Sequence, residues 1–325
     1  MEKKDDYFSG YSKFAVHEEM LKDKVRTLSY KDAIEKNAHI FKDKIVLDIG
    51  CGTGVLSIFA ARAGAKHVYG IDNADIAYFA REIVRKNKLS DKITIIKSMV
   101  EEAVLPVEKV DIIVSEWMGY FLLFESMLDS VLYARDKWLK KDGYMLPDRF
   151  TMTIAALHDE VKSQKLRFWD DVYGIDMSII KPSAISRAEI HWCLSKNINS
   201  SACKIKEIDL YTVKKEELQF TAAYELAFSR KDTVHGIIAW FDTYFEKLPN
   251  QVQFSTSPYV QPTHWKQTVF YTQNGLHVEQ GEVLKGSIAV RKSVEDHRDI
   301  DIKMSFHFNG KSKKRDWLQL FKLIE

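Results

Sequence analysis

The chain has 325 residues, 46% hydrophobic and 29% charged, a composition of ordinary folded domains that excludes a disordered chain, a collagen-like repeat and a small disulfide scaffold. At roughly 100–200 residues per domain, that length suggests two domains. Lys and Arg total 48 against 46 Asp and Glu, and residues 1–150 hold 24 of each sign, so neither half is a basic module and direct nucleic-acid binding is not expected.

The opening residues, Met1 to Asp6, lead into no apolar stretch, so no secretory signal peptide is expected. Lys44 to Ile49 reads as a buried strand, a short run rich in β-branched residues that ends in glycines. Val55 to Ala63 carries apolar residues at helical spacing and is closed by Gly64. His67 to Ile71 is a second strand with Asp72 at its carboxyl end, followed by a helix over Ile76–Lys88 and a strand over Ile93–Lys97. Val110–Val114 is a fourth strand and Ser126–Leu139 a further helix. Strand–helix alternation at this spacing builds a parallel sheet covered on both faces, a Rossmann-like half. After Gly143 the pattern turns to strands: Thr151–Leu157, Leu218–Phe228, Val234–Phe245, Gln267–Tyr271, Val283–Val290 and Ile300–Phe308. They suggest an antiparallel sheet or barrel as a second domain. Val161–Asn199 fits neither pattern and holds Trp169, Tyr173, Ile175, Met177, Ile179 and Ile180; so apolar an insertion is expected to pack on another subunit.

The most apolar short run, Tyr120–Phe124, falls far short of the ~20 residues that span a bilayer, so no membrane role is expected. Cys51, Cys193 and Cys203 form no C-x-x-C pair; they read as reduced thiols of an intracellular protein with no metal site. Lys311, Lys313, Lys314 and Arg315 are the one tight basic cluster and read as a solvated turn.

Two stretches carry chemistry. Asp48-Ile49-Gly50-Cys51-Gly52-Thr53-Gly54 joins a strand to its helix, with Asp72 20 residues beyond Gly52. Glycines there let backbone approach a ligand, and a carboxylate at a strand end suits ribose hydroxyls, so a nucleoside is the expected ligand. A dinucleotide needs its pyrophosphate on the helix N-terminus. S-adenosylmethionine instead offers an ammonium for Asp48 and a carboxylate for Arg26; the residues favour it without excluding NAD. The second stretch, Ser115-Glu116-Trp117-Met118-Gly119-Tyr120 through Glu125, follows the fourth strand, where ligands of open α/β sheets bind. Two carboxylates in an otherwise apolar loop imply a cationic partner, and the planar fork of a guanidinium fits them.

Tyr7-Phe8-x-x-Tyr11, the glycine loop, the Glu116–Glu125 stretch and Thr263-His264-Trp265, in this order, resemble the protein arginine N-methyltransferases, and among them the type I enzymes. The resemblance runs from Tyr7 to about Phe308. It implies cofactor-covering helices over residues 1–40, an S-adenosylmethionine-binding Rossmann-like domain over 41–147, and an antiparallel β-barrel domain over 148–325 with a helical dimerisation arm at about 161–199. It implies that Glu116 and Glu125 clamp the substrate guanidinium, with Asp23 and His264 as a further catalytic pair. His17, Arg26, Asp48, Gly50, Gly52, Asp72, Val100, Glu101, Phe8 and Tyr11 would bind cofactor, and Tyr7, Met20, Met127 and Trp265 would line the substrate pocket. Pro147 matches a cis-proline at the domain junction. Two positions depart from the family pattern: Asp72 stands where Glu is usual, and Phe124 where close relatives have Tyr. Only six residues precede Tyr7, implying a shortened N-terminus.

The resulting expectation is transfer of methyl groups from S-adenosylmethionine to arginines of histone tails or Gly-Arg-rich proteins, giving monomethyl and asymmetric dimethylarginine and leaving S-adenosylhomocysteine. A homodimer formed through the arm, acting in nucleus and cytoplasm, completes it. A nucleotide-dependent oxidoreductase and a catalytically silent dimeric scaffold are the alternatives. The first leaves Glu116 and Glu125 without a task.

Overall fold

The computed structural model describes residues 4–311 and 313–324, with Lys4, Asp5 and Asp6 as backbone only. Residues 1–3, which open the expected 1–40 segment, lie outside the described residues, as do Ser312 and Glu325. Four helices come first: α1 (Lys4–Gly10), α2 (Phe14–Lys22), α3 (Lys24–Glu35) and α4 (Ala38–Phe41). A parallel unit follows, with β1 (Ile45–Ile49), α5 (Val55–Arg62), β2 (His67–Asp72), α6 (Ile76–Lys86), β3 (Ile93–Lys97), β4 (Val110–Ser115), α7 (Leu128–Trp138) and β5 (Leu139–Leu146). Its sheet runs β3-β2-β1-β4-β5 with every pairing parallel. The central strands are covered on both faces, which is why β1 and β4 read as near-continuous apolar runs. Strand β5 escapes that pattern because Lys140 and Lys141 are exposed along the sheet edge, where charge discourages further pairing.

Leu146–Pro147 is a cis peptide at the junction. Beyond it lie β6 (Arg149–Leu157), α8 (Glu160–Arg167), α9 (Lys181–Ala184), β7 (Glu189–His191), β8 (Cys203–Asp209), β9 (Phe220–Ala227), β10 (Asp232–Phe245), β11 (Val252–Ser255), β12 (Gln267–Val278), β13 (Val283–Lys292), β14 (Ile300–Asn309) and β15 (Lys314–Leu323). They form two antiparallel sheets, β7-β12-β10-β6-β8 with β11 on β10, and β15-β14-β13-β9. Ser201 N–H donates to Ala227 O (2.8 Å) at one seam between the sheets. At the other, Ala188 N–H donates to Lys322 O (2.9 Å) and Lys322 N–H to Ser186 O (2.8 Å), so the pair closes into a barrel-like body. Strands β7, β8, β11 and β15 are absent from the sequence pattern because β7 and β11 are short, β8 carries charge on alternate residues and β15 opens on three consecutive charges.

One hydrophobic core runs through both domains. Trp117 packs edge-on against Phe150 (4.7 Å), Phe121 against Phe270 (5.3 Å) and Tyr30 against Phe245 (5.1 Å). The loop after β4 is therefore wedged in the seam between sheet and barrel. Asn37, fully buried, ties the end of α3 to the barrel through bonds to Asn250 O (3.0 Å) and from Asn250 N–H (2.9 Å). Between α8 and α9 the chain carries exposed apolar side chains, Tyr173 at 97% and Ile179 at 85%, before Ile185 returns to the barrel core. No helix among the described residues is long and apolar enough to cross a membrane.

Candidate active site

The carboxyl ends of β1, β2, β3 and β4 all point to one edge of the parallel sheet, and the loops that follow them carry Gly50 and Gly52, Asp72, Val100 and Glu101, and Glu116. Gly50 has φ +68°, and a side chain there would run into Met127, whose methyl lies over it. Gly52 lies against the His17 ring. Asp72 accepts the Gly52 and Ala74 amides, both at 2.8 Å, so its carboxylate braces the glycine loop; burial still raises its pKa. Asp48 is buried, which raises its pKa to about 7, while its Oδ2 accepts Ser57 Oγ (2.7 Å). Its Oδ1 meets no donor among the described residues. A buried carboxylate with an unsatisfied oxygen is a site for a cation. Val100 is buried on the rim, where Glu101 accepts Ser130 Oγ (2.7 Å).

The loop between Gly119 and Ser126 folds back on itself, Gly119 N–H donating to Leu122 O and Phe124 N–H to Tyr120 O, both at 3.1 Å. A Cβ at Gly119 would sit 2.2 Å from Phe124 O, so only glycine permits this approach. Four non-glycine residues, Phe121, Leu122, Glu125 and Ser126, have positive φ, each costing on the order of 1–3 kcal/mol. The barrel loop between β13 and β14 holds the last two of them there. Glu125 N–H donates to Arg298 O (2.9 Å), Arg298 Nη1 donates to Glu125 O (2.8 Å), and Ser126 Oγ donates to His297 O (2.6 Å).

Tyr7 and Tyr11 hydroxyls both donate to Glu125 Oε2, at 3.2 and 2.7 Å. Burial lifts the Glu125 pKa to about 7; those hydroxyls and Arg298 work against the rise, and Glu116 adds to it. Both tyrosines, partly buried and beside that carboxylate, are held well above their usual range by desolvation and by Glu125, and stay neutral donors. Phe8 packs edge-on to Tyr7 (5.1 Å), and Ser12 accepts the Asp75 amide (3.1 Å), anchoring the end of α1 beside β2. His17 Nε2 lies 2.7 Å from Tyr11 O.

Glu116 Oε2 accepts Arg26 Nε at 2.7 Å, both side chains being over nine-tenths buried. Arg26 also donates to Met20 O (3.2 Å). Asp23 caps α3 through the Arg26 amide (3.0 Å) and bonds His264 through both its amide (2.9 Å) and Nδ1 (2.7 Å). Burial pushes the Asp23 pKa up, but these hydrogen bonds outweigh it and leave it below its ordinary value. Because Nδ1–H faces Asp23, Nε2 is the free acceptor of a neutral His264 ring. Trp265, assigned to the pocket by resemblance, is buried behind it: its indole donates to Met118 O (2.7 Å) and its ring packs on His264 (4.0 Å). The expected residues thus converge on the seam, with Glu101 outermost and Trp265 beneath. Sequence reading missed Arg298 and the structural part of Gly119. Gly119 lay within a quoted motif, but Arg298 sits in a polar loop with no local pattern to mark it.

Residues 148–311 match the arginine methyltransferase oligomerization subdomain, and residues 30–145 match a ribosomal protein L11 methyltransferase model. Protein arginine N-methyltransferase 1 of Schizosaccharomyces pombe is 53% identical over 314 residues, covering 96% of this chain and 92% of that protein. The chain belongs to the protein arginine N-methyltransferase family. The family member of the same name from Chlamydomonas reinhardtii is 50% identical, covering 94% of this chain and 89% of that one. Among solved methyltransferase structures, the Trypanosoma brucei PRMT1 enzyme–prozyme heterotetrameric complex with AdoHcy has a chain 43% identical with a TM-score of 0.94, covering 97% of this chain and 99% of that one. Arabidopsis thaliana protein arginine methyltransferase 10 is 32% identical with a TM-score of 0.90, covering 98% and 100%.

Glu125 carries a stability cost with a definite pH dependence. Its folded pKa of about 7 lies above the ordinary 4.5, so ionisation costs stability increasingly between those values and fully above them. Glu125→Gln removes that cost while still accepting from both tyrosines. The variant is expected to melt at or above the parent temperature at pH 8, with the difference shrinking to nothing near pH 4.5. A clear loss of melting temperature at pH 8 contradicts the assignment of a costly buried charge.

Proposed function

We propose that this chain transfers methyl groups from S-adenosylmethionine to arginine side chains of proteins, giving monomethyl and asymmetric dimethylarginine. The observation that carries the reading is the buried pair Glu116 and Glu125 beside the glycine loop, two carboxylates whose surroundings fit a planar cation. The cofactor fits the residues present: Asp48, with its orphaned Oδ1, would take the ammonium, Arg26 the carboxylate, Asp72 the ribose hydroxyls, and Val100 with Glu101 the adenine. When bound, it supplies an activated methyl on sulfonium.

The chain's own work is to make one guanidinium nitrogen nucleophilic without removing its proton beforehand, since that pKa exceeds 12. Glu116 and Glu125, bonding the guanidinium, draw its positive charge toward themselves and leave the outer nitrogen richer in lone-pair density. Tyr7 and Tyr11, both on Oε2, keep the Glu125 carboxylate aimed and cover the pocket from water. Holding both reactants in line accounts for up to ~7–11 kcal/mol of barrier reduction. The departing proton goes to a glutamate or to Nε2 of His264, whose ring Asp23 orients.

Product type follows from the side chains beside the acceptor nitrogen. Met20 and Met127 are flexible thioethers that yield space to a first methyl, so the same nitrogen re-enters. Mass spectrometry of a methylated Gly-Arg-rich peptide is expected to give monomethyl and asymmetric dimethylarginine. Symmetric dimethylarginine as the major dimethyl species contradicts this part and leaves arginine methylation standing.

The apolar segment Trp169–Ile180 is the homodimer contact in this reading, supported by its exposed Tyr173, Ile175 and Ile179 and by the oligomerization subdomain that spans it. Deleting Trp169–Ile180 is expected to give a soluble monomer with weakened S-adenosylmethionine binding. Light scattering that still finds a dimer assigns the segment the wrong task.

A further inference from the structure

Arg298 lies in the loop between β13 and β14, in a different domain from both glutamates, yet it touches the site from two sides. Its guanidinium carbon sits 3.5 Å from the centroid of the Tyr7 ring and 5.4 Å from that of Phe8. From the same group Nη1 donates to Glu125 O (2.8 Å), and the Arg298 carbonyl accepts the Glu125 amide (2.9 Å). The loop that offers it is itself fixed, since the Arg298 amide donates to Asp296 Oδ1 (3.0 Å) and His297 O accepts Ser126 Oγ (2.6 Å). One planar cation therefore joins the aromatic face of α1 to the backbone of the residue that α1 also holds by its side chain.

We propose that Arg298 is a positioning residue that couples closure of α1 over the site to the orientation of Glu125, an inference that rests on the arginine methyltransferase reading. The shape of the group is central. A guanidinium stacks on an aromatic ring with its flat face while its edge still donates, and a lysine ammonium does not combine the two. With α1 lifted, Glu125 loses the Tyr7 and Tyr11 hydroxyls and Arg298 loses its rings. With Arg298 removed, the left-handed backbone at Glu125 and Ser126 loses one of its three ties to the barrel. Glu125 is then free to turn from the substrate, and α1 loses its cation–π anchor.

The charged and titratable groups facing the Glu125 carboxylate are Tyr7 and Tyr11 from α1 and the turn after it, Glu116 from the loop after β4, and Arg298 from the barrel. Of these Arg298 is the one cation, so its loss leaves Glu125 harder to ionise.

The test uses the full chain as Arg298→Ala and Arg298→Lys. It measures kcat and KM on a Gly-Arg-rich peptide, the S-adenosylmethionine Kd by calorimetry, and the pH profile of kcat/KM. Arg298→Ala is expected to lower kcat at least about tenfold, as misplacement of a reacting group does, to weaken cofactor binding at least about threefold by loosening α1, and to move the acid limb of kcat/KM to higher pH. Arg298→Lys is expected to hold the acid limb near its parent position without restoring kcat. Alanine turnover within about twofold of the parent, or a reduced kcat with an unmoved acid limb and unchanged cofactor affinity, overturns the proposal. Should the alanine chain fail to fold, the lysine chain decides alone: a held limb with reduced kcat supports it, and parent-like kcat overturns it. Absence of turnover in the unaltered chain contradicts the methyltransferase reading instead, and the Kd comparison still tests the coupling.

Discussion

A carboxylate taken out of water is unstable unless something replaces its hydration, and the site is organised around doing this for Glu125 only in part. Two tyrosine hydroxyls satisfy one oxygen, and Arg298 lies near enough to favour ionisation. Burial still dominates and leaves the group with a pKa of about 7. A fully paired carboxylate would be more comfortable and less useful, because the energy released when an incoming cation completes its shell would already have been released. The incomplete pairing leaves interaction energy for a ligand that brings positive charge in planar form.

Glu116 solves the same problem differently. Its partner, Arg26, belongs to the chain and carries a guanidinium of its own. The group that by resemblance serves the cofactor carboxylate therefore sits on one of the two glutamates assigned to the substrate. Asp23 links this pair onward to His264 through the cap of α3. The N-terminal helices, the loop after β4 and the barrel thus each contribute a polar side chain to one continuous network, and none forms the site alone. That explains why the loop after β4 lies in the seam of a shared core: it must be rigid enough to hold four non-glycine residues in left-handed backbone.

Much of this was legible in the residues, for physical reasons. The alternation from β1 to α7 has long, strongly periodic elements, and glycines with a terminal acid mark the ligand edge of the sheet. Glu116 and Glu125 stood out because charge in an apolar loop demands a partner. Strands β5 and β15 were invisible: the first carries Lys140-Lys141-Asp142-Gly143 along an edge, and the second opens on three charges, Lys314-Arg315-Asp316, and leaves Leu318 and Leu320 exposed. Arg298 could not be read at all, since its meaning lies in a contact 173 residues away. Trp265 was placed in the pocket by resemblance, whereas packing buries its ring against His264 and turns its indole to the Met118 carbonyl.

The central physical claim is that the two glutamates select a guanidinium and not merely a positive charge. It is tested most directly by incubating the full chain with labelled S-adenosylmethionine and two peptides of one sequence, Gly-Arg-rich and with every arginine replaced by lysine. Label confined to the arginine peptide is the expected result, because an ammonium offers no planar fork to two carboxylates. Comparable labelling of the lysine peptide, or label in neither, contradicts it.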